Sequence, residues 1–215
     1  MTIAFVGGTG EEGMGLAYRL ALAGEECVIG SRSAERAEAA AASLRARGEG
    51  LRIRGAANRD ACQAGRIVVV TVPYGGMRET LAALEDVIDA KVVVSAVVPM
   101  SFEGGAVRFA PPPEGSAARE AQAVLPRARV VGAFQNLGAK KLLKGDVALD
   151  ADVIVCGDDP EAKAEVAALA ERIRGVRAID GGGLDAALFV EAITPLLVHI
   201  NRRYKTQAAV RIVGV

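Results

Sequence analysis

The chain carries no excess of either charge: 26 lysines and arginines face 26 aspartates and glutamates in 215 residues. Such a balance creates no long-range field toward nucleic acid or an anionic membrane, so the expected partners are small molecules, with no nucleic acid and no membrane. Cysteine is scarce. Cys27, Cys62 and Cys156 are far apart and form no C-x-x-C pair, and two of them lie in apolar strand-like runs. That is the usage of reduced, buried thiols in a cytoplasmic protein. The chain has one histidine, His199, and no grouping of metal-ligating residues, so no metal site is expected. No apolar run reaches the ~18 residues that span a bilayer, and the first strand opens without a basic leader, which predicts neither anchoring nor secretion. Internal repeats are missing too.

Absences also limit the chemistry. Four residues after Tyr18, Tyr74 and Tyr204 come Leu22, Arg78 and Ala208, so no tyrosine–lysine pair for short-chain carbonyl reduction is present. A carbonyl acceptor needs a positioned acid as its oxygen becomes an alcohol. None stands out in the sequence, and no catalytic side chain is assigned.

What the chain does have is a regular alternation. Short apolar, β-branched runs at Thr2–Val6, Glu26–Gly30, Leu51–Arg54, Arg66–Thr71, Lys91–Ser95 and Arg129–Ala133 predict buried strands, with helices Gly13–Ala23 and Ala34–Arg47 between the first of them. This is the pattern of an α/β fold with a Rossmann-type doubly wound parallel sheet. The glycine- and proline-rich stretch 101–116, SFEGGAVRFAPPPEGS, predicts a lapse of regular structure, a loop or lid. A strand at Asp152–Gly157, a helix at Pro160–Arg174 and a strand at Val176–Asp180 predict a small C-terminal α/β extension. A long helix, Leu184–Tyr204, follows. Its apolar face (Leu188, Phe189, Ala192, Ile193, Leu196, Leu197 and Ile200) is too broad to be left wet, and Pro195 should bend it. The expected division is a larger unit at 1–140, which carries the doubly wound sheet, and a smaller unit at 141–215.

Between the first strand and first helix stands GGTGEEG, which is G-x-G-x-x-G as Gly8, Gly10 and Gly13. Gly8 allows the turn, Gly10 lets a diphosphate approach the backbone and Gly13 lets the helix pack on the sheet. The diphosphate then rests on free N–H groups at the positive end of the helix. In NAD-selective sites a carboxylate ~20 residues further on grips the ribose. Here the second strand ends VIGSRSAER, placing Ser31, Arg32 and Arg36 there. A hydroxyl and two guanidiniums suit a 2′-phosphate, so the expected cofactor is NADP(H). Thr71, Val72 and Pro73 after one strand, and Val97, Val98, Pro99 and Met100 after another, lie at carboxyl ends where such sheets bind ligands. Val72, Val97, Val98 and Met100 suit the floor beneath flat rings, while the two prolines set loop direction.

The stretches GGTGEEGMGLAYRLALAGEECVIGSRSAERAE, VVVTVPYGGMRETL and VVVSAVVPM together resemble the NADPH-dependent reductases of the deazaflavin coenzyme F420. VCGDD at Val155–Asp159 and VEAITPLL at Val190–Leu197 extend the likeness toward the C-terminus. The resemblance implies a Rossmann fold, hydride transfer between NADP(H) and F420 as co-substrate, and a homodimer that covers the C-terminal helix. It implies that Thr9, Gly10, Glu11 and Glu12 form the pyrophosphate turn and that Ser31, Arg32 and Arg36 hold the 2′-phosphate. Tyr74, Arg78, Gly104 and Ala139 would lie along the rest of the cofactor. At two positions the chain departs from the archaeal pattern, with Tyr74 for a tryptophan and Gln135 for a histidine. A deazaflavin takes hydride on ring carbon, so stacking two rings within reach suffices for much of the catalysis. Lys140, Lys141 and Lys144 read as a solvated helix face, or as partners for an acidic tail. His199 reads as a helix-flank residue near an interface. Two other readings stay open: an NADPH-dependent reductase of an imine, a flavin or a ferric chelate, and an NADPH-binding sensor without turnover.

Overall fold

The structure is a computed structural model and describes residues 1–215 apart from the side chain of Glu103. In chain order the first half runs β1 (Thr2–Val6), α1 (Glu11–Leu22), β2 (Glu26–Ser31), α2 (Ala34–Arg45), β3 (Ile53–Ala57), α3 (Asn58–Ala64), β4 (Ile67–Val70), α4 (Met77–Ala82), α5 (Glu85–Ile88) and β5 (Val92–Ser95). The remainder is β6 (Met100–Glu103), β7 (Ala106–Phe109), α6 (Ala117–Val124), β8 (Arg129–Gly132), α7 (Ala139–Leu142), β9 (Ala151–Gly157), α8 (Pro160–Glu171), β10 (Val176–Gly182) and α9 (Ala187–Tyr204).

One eight-stranded sheet has the order β10-β9-β8-β5-β4-β1-β2-β3. From β3 to β8 all pairings are parallel, and β8 pairs with β9 antiparallel before β10 returns parallel. Along β1 the side chains split by pleat: Ile3 and Phe5 enter a core with Leu16, Leu20 and Leu44, while Ala4 and Val6 enter another with Met77, Leu81 and Leu125. Both faces are dry, which is why these strands are apolar throughout instead of alternating. The chain reverses direction across the sheet between β1 and β4, and this switch point opens a crevice beyond their carboxyl ends.

Three expectations change. Stretch 101–116 is not simply a loop, because β6 and β7 form an antiparallel hairpin whose turn, Gly104–Gly105, uses positive φ values of 55° and 81°. Two adjacent glycines made the turn rather than abolishing the strands. The third strand is Ile53–Ala57, later than expected, since its partner run Cys27–Ser31 on β2 sets the register. On α9 the buried residues are Ala187, Val190, Glu191, Pro195 and Leu197, whereas Phe189 is 70% exposed and Leu196 57%. The broad apolar face is therefore only partly covered within one chain: Leu197 is buried, Leu188, Ala192, Ile193 and Ile200 are half-buried, and Phe189 and Leu196 are exposed.

The 21-residue helical stretch Leu184–Tyr204 is long and apolar enough to cross a membrane by length and composition. It is nevertheless packed on the domain. Glu191 accepts the N–H groups of Ala117 (2.8 Å) and Ala118 (3.0 Å) at the start of α6. The hairpin joins it as well, with His199 Nε2 2.8 Å from the Val107 carbonyl and Arg202 Nη1 donating to Gly105 O at 2.5 Å.

Candidate functional site

The glycine turn between β1 and α1 is built by close packing on two sides and openness on the third. A Cβ on Gly13 would lie 2.6 Å from Gly8 Cα and 2.7 Å from Thr71 Oγ1, so helix α1 can approach β4 only with glycine there. A Cβ on Gly10 would meet nothing within 4 Å. Gly10 is also the N-cap residue of α1 and has no side chain to bind the first-turn N–H groups. Those donors are left for a ligand.

Two clefts open from this turn. The first, of about 780 Å³, runs beside Thr9, Gly10, Ser31, Arg32 and Arg36 and on past Asn58 and Thr80. The second, of about 560 Å³, includes Glu12, Tyr74, Val97, Val98, Met100 and Ala139 in its wall. Thr71, Val72 and Pro73 line both, so the clefts meet at the carboxyl end of β4. Each volume is ordinary for a small-molecule site.

In the first cleft Ser31 is buried at the end of β2 and its Oγ accepts the Ser33 N–H at 3.3 Å. Ser33 caps α2 by accepting the Arg36 N–H (3.2 Å), and its hydroxyl donates to Glu35 at 2.7 Å. The exposed Arg32 and Arg36 are held at this corner, and among the described residues neither guanidinium has an ion-pair partner. Arg59 on the same wall is already bound to Asp86.

The second cleft is shaped by the end of β8. Phe134 has φ 74°, an unusual backbone for a buried aromatic residue, and the turn aims Gln135 and Asn136 toward α9. Asn136 Nδ2 donates to Val190 O and to Thr194 Oγ1, both at 3.0 Å, and the Thr194 hydroxyl donates to Gln135 O at 2.9 Å. Gln135 Nε2 donates to Ser95 O at 3.2 Å, which leaves its Oε1 unpartnered. Glu12 Oε1 and Gln207 Oε1, in the same wall, are also buried without partners. Three orphaned polar atoms around one cleft mark a place for a polar ligand.

Ala139 is placed from a distance. Arg19 of α1 is buried and donates to Leu142 O (2.7 Å), Lys141 O (2.8 Å) and Val147 O (2.6 Å), satisfying the carbonyl end of α7. Lys140 stands at the cleft rim, while Lys141 Nζ turns to Leu149 O at 2.5 Å.

Other predicted residues lie outside these walls. Glu11 is exposed at the first position of α1, and Pro99 is buried with its carbonyl accepting the Ala110 N–H (2.9 Å). Gly104 is exposed at the hairpin turn. Arg78 is occupied by Glu120 (Nε to Oε1, 2.7 Å) and Glu114. Tyr74 does line the second cleft, and burial together with the facing Glu120 carboxylate pushes its phenol up to about 12. His199 is exposed, held by Val107 and outside the cleft wall. The residues missed by sequence reasoning are Asn58, Asn136, Asn201 and the tail segment Thr206–Ala208. Thr194, inside the VEAITPLL stretch, was the nearest signal.

A doubly wound sheet, an uncapped glycine turn at its switch point and a groove leading into a second cleft define a dinucleotide-binding oxidoreductase of the Rossmann type. Residues 2–99 match the family described as NADP oxidoreductase coenzyme F420-dependent. A protein of Methanothermobacter thermautotrophicus described as F420-dependent NADP reductase is 43% identical over 97% of this chain and 93% of its own length. One of the same description from Methanocaldococcus jannaschii is 43% identical over 96% and 95%. The chain belongs to the family of F420-dependent NADP reductases. A crystal structure from Arthrobacter sp. FB24, described as of an F420-dependent NADP reductase, superposes with TM-score 0.83 at 26% identity, covering 99% of this chain and all of the other.

Proposed function

We propose that this protein transfers a hydride between NADP(H) and the deazaflavin coenzyme F420, the nucleotide lying in the larger cleft and the deazaflavin in the smaller. The observation that carries the cofactor choice is the pair of unpartnered guanidiniums, Arg32 and Arg36, beside Ser31 where an NAD site would hold a carboxylate. Relatives at 41–43% identity favour the deazaflavin over an imine, a flavin or a ferric chelate as acceptor.

The first-turn N–H groups of α1, with Thr9 to Glu12, take the diphosphate. Ser31, Arg32 and Arg36 take the 2′-phosphate by charge-assisted hydrogen bonds. Thr71, Val72 and Pro73 bridge to the nicotinamide, and Val97, Val98 and Met100 provide an apolar floor on which two flat rings can stack within reach of one another. Ala139 and Tyr74 close the sides. Roles for Arg78 and Gly104 rest on the family resemblance, and the acids that hold Arg78 leave it free only if they release it.

Residues 1–140 act as the nucleotide-binding unit, and 141–215 complete the acceptor cleft through α9 and the tail. The exposed Phe189 and Leu196 on α9 and Phe102, 66% exposed on the hairpin packed against that helix, form an apolar surface for a second copy of the chain. The buried, free thiols of Cys27, Cys62 and Cys156 support a cytoplasmic location. The test is to mix the protein with NADPH and oxidised F420 and follow both absorbances. Loss of both chromophores in equal amounts is expected. NADPH binding without consumption would remove this reading.

A further inference from the structure

We propose that Glu12 is the acid–base residue of the second cleft, holding the proton that the acceptor gains on reduction and taking it back in the reverse direction. The inference rests on the hydride-transfer reading above. In that reaction NADPH gives up a hydride from its nicotinamide and leaves as NADP+, while the deazaflavin gains the hydride on ring carbon and one proton on ring nitrogen. The proton comes from the Glu12 carboxyl, which is left as carboxylate and is restored from water.

The glycine turn needs only the backbone of Glu12, yet Glu12 is also among the residues that line the second cleft, as are Thr71, Val97 and Gln135. Its neighbour Glu11, by contrast, is exposed. Glu12 Oε1 is shut off from solvent and meets no hydrogen-bond partner, and no basic side chain among the described residues pairs with it. A carboxylate with one oxygen left that way carries a desolvation cost that a neutral acid avoids. Burial accordingly pushes the Glu12 carboxyl up to about 8, which keeps the proton on it at neutral pH and leaves the acid close enough to the working pH both to give and to take a proton.

Other groups around the cleft do not serve as well. The Tyr74 phenol, pushed up to about 12, faces Glu120. Gln135, Asn136 and Thr194 do not titrate, and His199 is held by Val107 outside the wall. Lys140 faces the cleft from its exposed rim on α7 and, like the positive end of α1, favours the carboxylate. A bound diphosphate on the same helix end favours the neutral acid, so the nucleotide itself keeps the proton in place. Glu191, the other carboxyl raised by burial, sits against α6 rather than in the cleft wall.

Two measurements on the full chain test this. NADP+ affinity of the wild type should weaken as pH rises through the titration of the acid, because the carboxylate then repels the diphosphate, while Glu12→Gln should show no such step. Single-turnover hydride transfer from NADPH to F420 should be about 100-fold slower in Glu12→Gln and lose the fall in rate seen at high pH in the wild type. Identical pH steps in variant and wild type would overturn the proposal. If the variant does not fold, infrared difference spectra of the wild type with and without NADP+ decide: a perturbed protonated-carboxyl stretch at neutral pH is expected, and its absence overturns the proposal. A wild type that binds NADP+ with the pH step but never reduces F420 would instead overturn the reaction reading, and the catalytic role with it.

Discussion

Asp152 and Arg177 stand opposite one another on β9 and β10 and close a two-pronged ion pair, Nε to Oδ1 at 3.0 Å and Nη2 to Oδ2 at 2.8 Å. The buried carboxylate also accepts the Ile212 N–H at 2.6 Å, and the Asp152 N–H donates to Val210 O at 2.8 Å. The C-terminal tail is thus strapped to the sheet, and Thr206–Ala208, just before the strap, reach the cleft wall.

Asp152→Asn should therefore destabilise the fold by roughly 2 kcal/mol, less than a fully buried pair costs because Arg177 is partly exposed. The Arg177 hydrogen bonds hold the Asp152 carboxyl below its usual range. A lowered value means that this stabilisation is present above the unfolded value of about 3.9 and is lost as pH falls through the lower folded one. Thermal unfolding against pH should show a larger acid-side loss in the wild type than in the variant, which keeps only the part due to other carboxyls such as Asp180 and Glu38, with faster amide exchange in the variant's tail.

On the proposed assignment of Arg32 to the 2′-phosphate, Arg32→Ala removes one charge-assisted contact. NADPH binding should weaken by roughly 2 kcal/mol, about 30-fold, with NADH little changed. Titration calorimetry with both nucleotides reads this directly. Equal losses for the two would mean that Arg32 does not read the phosphate.

Gly10 and Gly13 should respond differently to alanine. Gly10→Ala adds a methyl into open space, so the melting temperature should hold while NADPH and NADH weaken together, since the methyl occupies the diphosphate's approach. Gly13→Ala drives a methyl onto Gly8 Cα and Thr71 Oγ1 and should cost about 1–3 kcal/mol of stability. Calorimetric unfolding separates the two.

Phe189→Asp with Leu196→Glu places charge on the uncovered face of α9 without touching its buried side. Sedimentation should give twice the chain mass for wild type and the single-chain mass for the double variant. A wild type that sediments as a single chain would remove the homodimer.

That Thr9, Gly10, Ser31, Arg32 and Arg36 come together beside one cleft was legible because they are local: a strand, a turn and a helix adjacent in sequence put their own backbone and side chains in one place. Other features were not. The hairpin β6–β7 was hidden because glycines and prolines were weighed as breakers, while pairing across Gly104–Gly105 depends on the turn closing. The apolar stripe of α9 was plain, but which part meets the sheet follows from how the helix is docked, and Glu191 rather than Phe189 faces inward.

The sequence by itself determined the class of fold and the choice of nucleotide, since both follow from short-range patterns of burial, glycine and charge. Only the tertiary structure decided what the second cleft is made of. Its wall joins Glu12 of the first helix, Gln135 after β8, Thr194 on α9 and Gln207 in the tail. These residues meet through long chain closures held by the pleated sheet and by single anchors such as Arg19 and Asp152, and no local periodicity records them.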